Sequence, residues 1–215
     1  MRNIVYFFGQ ILFLPHVILF LFSREKEAIA QDIYARKNFN PSRLHQVFDL
    51  SKELLINKYF RTLFYHRTNG VFSKILRIFY PKESSFIIDV NTKIGGGLQL
   101  AHPYSTILNA EKMGKNVYVN HLVTIGEKNG KKPTIEDGVE LHANCIVIGG
   151  IIIGKNAKIG AGAVVTKDVP ENAIAIVNPA KIFFKNNVRF YTNIRLYSCL
   201  LSFFANSDSL YVFTF

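Results

Sequence analysis

The stretch IGKNAKIGAGAVVTKDVPENAIAIVNPAKI, residues 153–182, decides the fold. Its aliphatic residues Ile153, Ile159 and Val165 lie six positions apart, and a glycine directly follows the first two. An amphipathic helix repeats about every 3.6 residues and a half-buried strand about every two, so neither element explains this period. A six-residue repeat is typical of a parallel β-helix, in which each hexad forms one short strand and one corner.

The period extends far upstream of this stretch. Aliphatic anchors recur at intervals of six, with one late position and one interruption. The inward-facing positions predicted from this phase are Ile88, Ile94, Leu100, Ile107, Met113, Val119, Ile125, Ile135, Leu141, Val147, Ile153, Ile159 and Val165. Three hexads make one triangular coil, and coils stack about 4.8 Å apart so that their strands satisfy each other's hydrogen bonds. We therefore predict a mainly β fold with a β-helix over residues 86–182.

The composition limits what else the 215 residues can contain. A hydrophobic fraction of 49% with 19 Phe excludes a mainly disordered chain, because low hydrophobicity is what keeps chains unfolded. Two cysteines, Cys145 and Cys199, are too few for a disulfide framework or a four-ligand zinc site by themselves. The spacing of Cys145 places it inside the β-helix.

The net charge is +11, and residues 1–85 hold 13 Lys and Arg against 6 Asp and Glu. A basic excess of this kind suits an anionic membrane surface or a phosphorylated ligand. The sequence has no zinc-finger spacing, no RNP-type aromatic motif and no basic heptads, so nucleic acid is not an expected partner.

Residues 1–22 contain an apolar run from Ile4 to Phe22 that carries no formal charge. As a straight helix it measures about 28 Å, which is barely the thickness of a bilayer core. Gln10, Pro15 and His16 interrupt it, so we expect a helix in the membrane interface or a kinked, hairpin-like insertion rather than a clean span. The alternative is a helix buried in the protein's own core or at a subunit contact.

Residues 23–85 carry apolar side chains at spacings of three and four, which predicts amphipathic helices that end by Pro81. The charged residues 24–27 separate the apolar run from Ala28 and Ala30, which disfavours a cleaved secretory signal. Residues 183–215 form a tail for which the sequence indicates no structure.

The segment from Asn91 to Ile182, above all residues 153–182, resembles the bacterial hexapeptide-repeat transferases. It is most similar to the serine O-acetyltransferases and to related O-acetyltransferases that modify surface polysaccharides. The resemblance implies a left-handed parallel β-helix and a homotrimer with active sites between subunits. It also implies transfer of an acetyl group from acetyl-CoA to a hydroxyl of a surface-glycan sugar or of L-serine. Because acetyl-CoA is a cytoplasmic metabolite, we expect a cytoplasmic enzyme, at the inner face of the membrane if the apolar run binds lipid.

The resemblance also assigns site residues. The segment GGLQLAHPYSTIL matches the family's histidine-bearing segment, which gives His102 the role of general base. A base is needed because an acceptor hydroxyl is a poor nucleophile until its proton is removed. Matched residue by residue, the pantetheine of the donor runs along a coil edge past Gly126, Ala143 and Ala161, with Lys158 nearby.

An insertion, Glu127 to Pro133, interrupts the hexads and carries Lys128, Lys131 and Lys132. Three ammonium groups are suited to attract the phosphates of coenzyme A. A solvated loop without a ligand is the other interpretation of these lysines.

The chain departs from the serine acetyltransferases at two site positions. Ile87 stands where that family carries the carboxylate that orients the catalytic histidine, and Asp89 is two residues away. Lys132 stands where the family carries a second histidine. Both departures favour a glycan sugar over L-serine as the acceptor.

Three histidines, His102, His121 and His142, each lie one or two positions after a predicted anchor of consecutive coils. They are therefore predicted to stack on one side of the β-helix. Imidazoles in this arrangement suit either a base with its neighbours or a metal site. A metal-dependent hydratase and a non-catalytic trimeric scaffold are thus the alternatives to an acetyltransferase, for which no metal is expected.

Overall fold

Five helices and fifteen short strands lie within residues 12–35 and 42–184, the part of the chain that the computed structural model describes. The helices are α1 Leu14–Phe22, α2 Lys26–Tyr34, α3 Arg43–Ile56, α4 Lys58–Arg67 and α5 Val71–Phe79. The first strands are β1 Phe86–Ile88, β2 Lys93–Ile94, β3 Gln99–Leu100, β4 Thr106–Leu108, β5 Lys112–Met113, β6 Tyr118–Val119 and β7 Thr124–Gly126. The others are β8 Thr134–Ile135, β9 Glu140–Leu141, β10 Ile146–Ile148, β11 Ile152–Ile153, β12 Lys158–Ile159, β13 Val164–Val165, β14 Ala173–Ile176 and β15 Lys181–Phe184.

The strands form three sheets, one for each side of a triangular coil. Sheet A contains β1, β4, β7, β10 and β13, sheet B contains β2, β5, β8 and β11, and sheet C contains β3, β6, β9, β12, β14 and β15. All pairs are parallel except β14 with β15, which close the last coil as an antiparallel pair. The chain runs from sheet A to B to C and back, so each coil has an A–B, a B–C and a C–A corner. The β-helix predicted from the six-residue period is confirmed.

Side chains at the anchor positions fill the inside of the coils. The buried anchors are Met113, Val119, Ile125, Ile135, Leu141, Val147, Ile153, Ile159 and Val165, and Ile88, Ile94 and Leu100 pack partly buried against them. Cys145 is also fully buried inside, where burial raises the pKa of its thiol to about 12. A thiol with so high a pKa is not a nucleophile near neutral pH.

The predicted anchor Ile107 is wrong. Its side chain is 41% exposed on the outside of sheet A, whereas its neighbour Leu108 is buried and pairs with Ile125. The interval from Leu100 to Leu108 is two residues longer than the six from Val119 to Ile125. The corner before β4 is therefore longer, and Leu108 rather than Ile107 points into the coil.

Helix α1 contains the second half of the predicted apolar segment and is buried on one face only. His16, Val17 and Phe20 pack into the helical core, with Pro15 in the first turn, where a missing N–H costs nothing. The opposite face is exposed. Among the described residues no helix combines the length and the hydropathy that crossing a membrane requires. Residues 1–11, which include the first eight residues of the apolar run, and the tail from residue 185 onward lie outside the described residues.

A buried ion pair, the Asp32–Arg67 clamp, joins α2 to α4. Arg67 Nε and Nη2 lie 2.6 and 3.1 Å from the two carboxylate oxygens of Asp32, and both side chains are almost completely buried. A buried charge of this kind is stable only when it is paired and its remaining polar atoms are hydrogen-bonded.

The remaining polar atoms of the clamp bind the turn between β2 and β3. Asp32 Oδ1 accepts hydrogen bonds from the backbone N–H groups of Gly97 and Leu98, at 2.9 and 2.8 Å. Arg67 donates to the carbonyl oxygens of Ile94 and Gly95, at 2.8 and 2.7 Å. The helices thereby fix the turn that leads through β3 to the corner where His102 lies.

Candidate active site

His102 is exposed at the C–A corner of the first coil, between β3 and β4. Its φ of 52° is left-handed, a conformation that histidine adopts more readily than branched residues. The N–H of Tyr104 donates to the carbonyl oxygen of His102 at 2.7 Å, which closes a tight turn. An exposed imidazole on such a turn is accessible to an acceptor hydroxyl, as a general base must be.

His121 and His142 occupy the C–A corners of the next two coils. The backbone N–H of Leu122 donates to Tyr104 O and that of Asn144 to His121 O, both at 3.0 Å, so the three corners stack. Within residues 12–35 and 42–184, no group of three or more His, Cys, Asp or Glu side chains is arranged to hold a metal.

The rings of these two histidines have different partners. The His121 ring stacks on Tyr104 with centroids 5.2 Å apart and planes inclined by 7°, and its Nδ1 lies 2.7 Å from Asn120 Oδ1. The His142 ring instead lies 3.2 Å from Glu140 through Nε2. Stacking and hydrogen bonding hold the His121 ring beside the corner that carries His102, and a hydrogen bond holds the His142 ring one coil further along.

A polar groove of about 310 Å³ lies on the outer face of sheet C. It is lined by Gln99, Asn116, Tyr118, Gly138, Glu140 and His142. Hydrogen bonds from His142 and then from Lys158, whose Nζ is 2.9 Å from Glu140, lower the pKa of Glu140 to about 2. Lys158, predicted to bind the donor, is thus held in an ion pair on this face. Sequence reasoning missed Tyr118 and Glu140, although both directly precede an anchor and so face outward.

The insertion forms an ordered hairpin. Backbone N–H groups of Lys128 and Lys131 donate to each other's carbonyl oxygens at 3.0 and 3.1 Å. Between them, Asn129 and Gly130 have φ of 54° and 74°, the left-handed pair that a type I′ turn requires. The lysine hairpin, residues 128–131, packs its side-chain stems against Gly149 and Gly150 of the next coil and leaves both lysines exposed.

Lys132 is engaged elsewhere. Its Nζ lies 3.0 Å from Asp89 Oδ1, and this hydrogen bond lowers the pKa of Asp89. Asp89 follows β1 at the A–B corner, whereas His102 precedes β4 at the C–A corner, so the two lie at opposite ends of sheet A. Asp89 therefore does not replace, within one chain, the carboxylate that is missing at Ile87.

The residues predicted to follow the donor do not share one edge. Ala143 and Ala161 both lie at C–A corners, where the N–H of Gly162 donates to Ala143 O at 3.0 Å. Gly126 ends β7 beside Ile148, at the opposite end of sheet A. The expectation that these three residues line a single coil edge is therefore wrong within one chain. Gly126 lies at the end of β7 next to the A–B corner, whereas Ala143 and Ala161 lie at C–A corners.

The outer face of sheet A is apolar. Ile87, Ile107, Ile146 and Val164 project from successive strands in one column, interrupted only by Thr124, and Ile87 is 48% exposed. The matching positions of sheets B and C are mostly polar: Lys93, Lys112, Thr134 and Ile152 in sheet B, and Gln99, Tyr118, Glu140 and Lys158 in sheet C. This column, the sheet A face, lies between the C–A corners with His102 and the A–B corners with the lysine hairpin.

Known proteins share this architecture. The family model described as "Bacterial transferase hexapeptide (six repeats)" matches residues 132–167, which defines the class as a hexapeptide-repeat transferase. The serine acetyltransferase of Neisseria gonorrhoeae, solved in complex with serine, is 31% identical with a TM-score of 0.59, over 73% of this chain and 68% of that one. The chain therefore belongs to the serine acetyltransferase-like family of hexapeptide-repeat transferases.

Two further similarities bear on donor and acceptor. A serine acetyltransferase solved in complex with CoA is 26% identical with a TM-score of 0.55, over 73% of this chain and 68% of that one. WcaB of Escherichia coli K12, described as a colanic acid biosynthesis acetyltransferase, is 35% identical over 99 residues, which are 44% of this chain and 61% of that protein. The chain spans between 29% and 61% of the length of the curated relatives it matches.

Proposed function

We propose that this chain transfers the acetyl group of acetyl-CoA to a hydroxyl of a surface-glycan sugar, with His102 as the general base. The observation that carries the proposal is the exposed imidazole on a fixed turn at the edge of the sheet A face. His102 takes the proton of the acceptor hydroxyl while that oxygen attacks the thioester carbonyl. The imidazolium then returns the proton to the departing thiolate of CoA. The relative solved with serine makes L-serine the alternative acceptor.

The active unit in this proposal is a homotrimer closed through the sheet A faces. In the sheet A face Ile87 and Ile107 are exposed and Ile146 and Val164 are half-buried, so removal of the column from water is stabilising. A closed three-fold ring is one of the common ways to bury such a face in identical chains. In that ring the C–A corner of one chain meets the A–B corner of its neighbour. Gly126 and the lysine hairpin of one subunit then complete the site formed by His102, Ala143 and Ala161 of the next.

The exposed lysines of the hairpin support the donor assignment. Lys128 and Lys131 present two ammonium groups at the mouth of the proposed cleft, where they attract the phosphates of coenzyme A. Lys132 contributes less, since Asp89 already neutralises its charge. No metal takes part in the proposed reaction.

The groove on sheet C supports a sugar as the acceptor. It begins at Gln99, three residues before His102, and combines the aromatic ring of Tyr118 with the polar groups of Asn116 and Glu140. A sugar can pack its apolar C–H face on the aromatic ring and form hydrogen bonds from its hydroxyls to these polar groups. Small-molecule sites usually combine apolar and polar side chains in this way. Because acetyl-CoA is cytoplasmic, the proposed reaction takes place in the cytoplasm.

The test is release of CoA thiol by the purified full chain with acetyl-CoA and either monosaccharides, surface oligosaccharides or L-serine. We expect turnover with a sugar, and His102→Ala lowers it at least about a hundredfold, the usual scale for loss of a general base. The control His45→Ala removes an exposed histidine on α3, and both variants keep the sedimentation coefficient of the parent.

Three outcomes contradict parts of the proposal. Unchanged turnover of His102→Ala excludes His102 as the base. Faster acetylation of L-serine than of every sugar assigns the amino acid as the acceptor. An absence of thiol release with all acceptors, for a folded trimer, favours the non-catalytic scaffold.

A further inference from the structure

Two helices expose one apolar face each, with the spacing of an amphipathic helix. On α1 the exposed large side chains are Leu14, Ile18, Leu21 and Phe22, and on α5 they are Val71, Phe72, Ile75, Ile78 and Phe79. The positions recur at intervals of three and four along each helix, so each set forms a single stripe. We name the two stripes together the α1/α5 surface.

The two helices are neighbours. The Phe13 ring lies 4.8 Å from the Tyr80 ring, and the Tyr80 hydroxyl donates to the carbonyl oxygen of Leu12 at 3.1 Å. The start of α1 is therefore beside the end of α5. Both helices bury their other face in the same core cluster, through Phe20 and Leu76, so both exposed stripes lie on the outside of this helix pair. Nine large apolar side chains exposed on two adjacent helices form the kind of surface that marks an interaction site.

The charges on α5 and directly after it, up to Lys82, are positive. Residues 68–82 contain Lys74, Arg77 and Lys82 and no acidic residue. Lys74 and Lys82 are exposed, as are Arg24 and Lys26 beyond the end of α1, where Glu25 and Glu27 offset them locally. Cations at the rim of an apolar helical face complement anionic lipid headgroups.

From these observations we infer that the α1/α5 surface binds an anionic membrane, with both helices lying in the plane of the interface. The apolar stripes enter the acyl region and Lys74 and Lys82 face the phosphates. A second copy docked face to face on the same surface would instead bring the cationic rims together, which opposes association. The sequence alone predicts lipid contact for the apolar run of residues 4–22, and α5 adds a second helix that this run does not include.

Flotation of the full chain with vesicles tests this inference. The vesicles are made of phosphatidylcholine, with or without phosphatidylglycerol. We expect the parent protein to float with the anionic vesicles and to be released as salt is raised, because salt screens the attraction to headgroups. Ile78→Ser/Phe79→Ser lowers the partition coefficient at least about tenfold, since two apolar side chains no longer enter the lipid.

The matched control is Ile56→Ser/Ile152→Ser. Those residues, on α3 and on the outer face of sheet B, are 58% and 51% exposed, compared with 76% and 72% for Ile78 and Phe79. All four positions are exposed, so both variants are expected to fold, and the control floats like the parent. Turnover on a soluble acceptor is unchanged in both variants, because neither touches the candidate active site.

Three results overturn the inference. If Ile78→Ser/Phe79→Ser floats like the parent, α5 does not contact lipid. If the parent floats equally with both kinds of vesicle, or with neither, the anionic surface is not the partner. If the α5 variant lowers the mass of the protein in sedimentation without vesicles, the α1/α5 surface is a contact between copies of this chain.

Discussion

At the scale of single residues, His16 joins α1 to α4 through a hydrogen bond that fixes its tautomer. Its Nε2 lies 2.8 Å from Tyr65 Oη, and the Tyr65 hydroxyl donates its one proton to the carbonyl oxygen of Tyr80. Tyr65 therefore accepts the bond from His16, so Nε2 carries the proton. Nδ1 is buried and has no partner among the described residues. Burial, and to a smaller extent the charge of Arg61, lower the pKa of His16 to about 4.

Acid should therefore destabilise the helical region. A histidine in the unfolded chain titrates near 6.5, whereas the folded protein keeps His16 neutral down to about 4. Its contribution is complete above pH 6.5 and is lost as the pH falls towards 4, by roughly 3 kcal/mol in total. We expect His16→Gln to flatten the dependence of unfolding free energy on pH between about 6.5 and 4.5, measured by urea denaturation. The exposed His45→Gln serves as the control, and parallel curves for the parent and His16→Gln would refute the prediction.

Residue-scale features differ in how far the sequence predicts them. The burial of Val119 or Leu141 follows from the period, because a repeat specifies the inward position of every coil. The strand Thr106–Leu108 has two consecutive aliphatic residues, so the pattern alone does not choose between Ile107 and Leu108. The length of the corner before this strand determines that Leu108 points inward. The partners of His16 and Asp32 lie 49 and 35 residues away, and no local pattern brings such pairs together.

At the scale of elements, the position of the lysine hairpin is predictable from the sequence, but its conformation is visible only in the structure. The interrupted period places the insertion, while the turn geometry and the packing on Gly149 and Gly150 become visible only in three dimensions. The ion pair of Lys132 with Asp89 was likewise unforeseen, because those residues lie two coils apart.

Removing the hairpin's charges should weaken donor binding. We expect Lys128→Ala/Lys131→Ala to raise the KM for acetyl-CoA about three- to tenfold at low salt and to flatten the dependence of KM on salt, with kcat nearly unchanged. The control Lys93→Ala/Lys112→Ala removes two exposed lysines from the outer face of sheet B. Equal KM values for the two double variants across a salt series would show that the hairpin is a solvated loop without a role in donor binding.

At the scale of the whole molecule, the residues matched to the donor lie at both ends of sheet A, with Gly126 separated from Ala143. In the homotrimer that we propose, a neighbouring subunit brings the equivalent corners together. Mixed trimers test this arrangement. We expect a His102→Ala chain coexpressed with a Lys128→Ala/Lys131→Ala chain to form intact sites, each with His102 from one chain and both lysines from the other.

In a random mixture about a quarter of the sites are intact, so activity at low acetyl-CoA exceeds the average of the two separate homotrimers. The comparison is a mixture of the two variants purified separately, in which no subunits are exchanged. Activity that stays at the average of the separate homotrimers would show that each site is contained within one chain.

The Asp32–Arg67 clamp couples the helical region to the first coil of the β-helix. A helical region followed by a β-helix suggests two modules that can be recombined freely with those of relatives. Both charges come from the helices, however, and four of the backbone groups that satisfy them come from the first coil. A β-helix cut free at Phe86 loses the groups that hold its second corner, and the separated helices keep two charges without their backbone partners. A chimera between relatives, made to exchange acceptor preference, must therefore take α2, α4 and the first coil from the same parent protein.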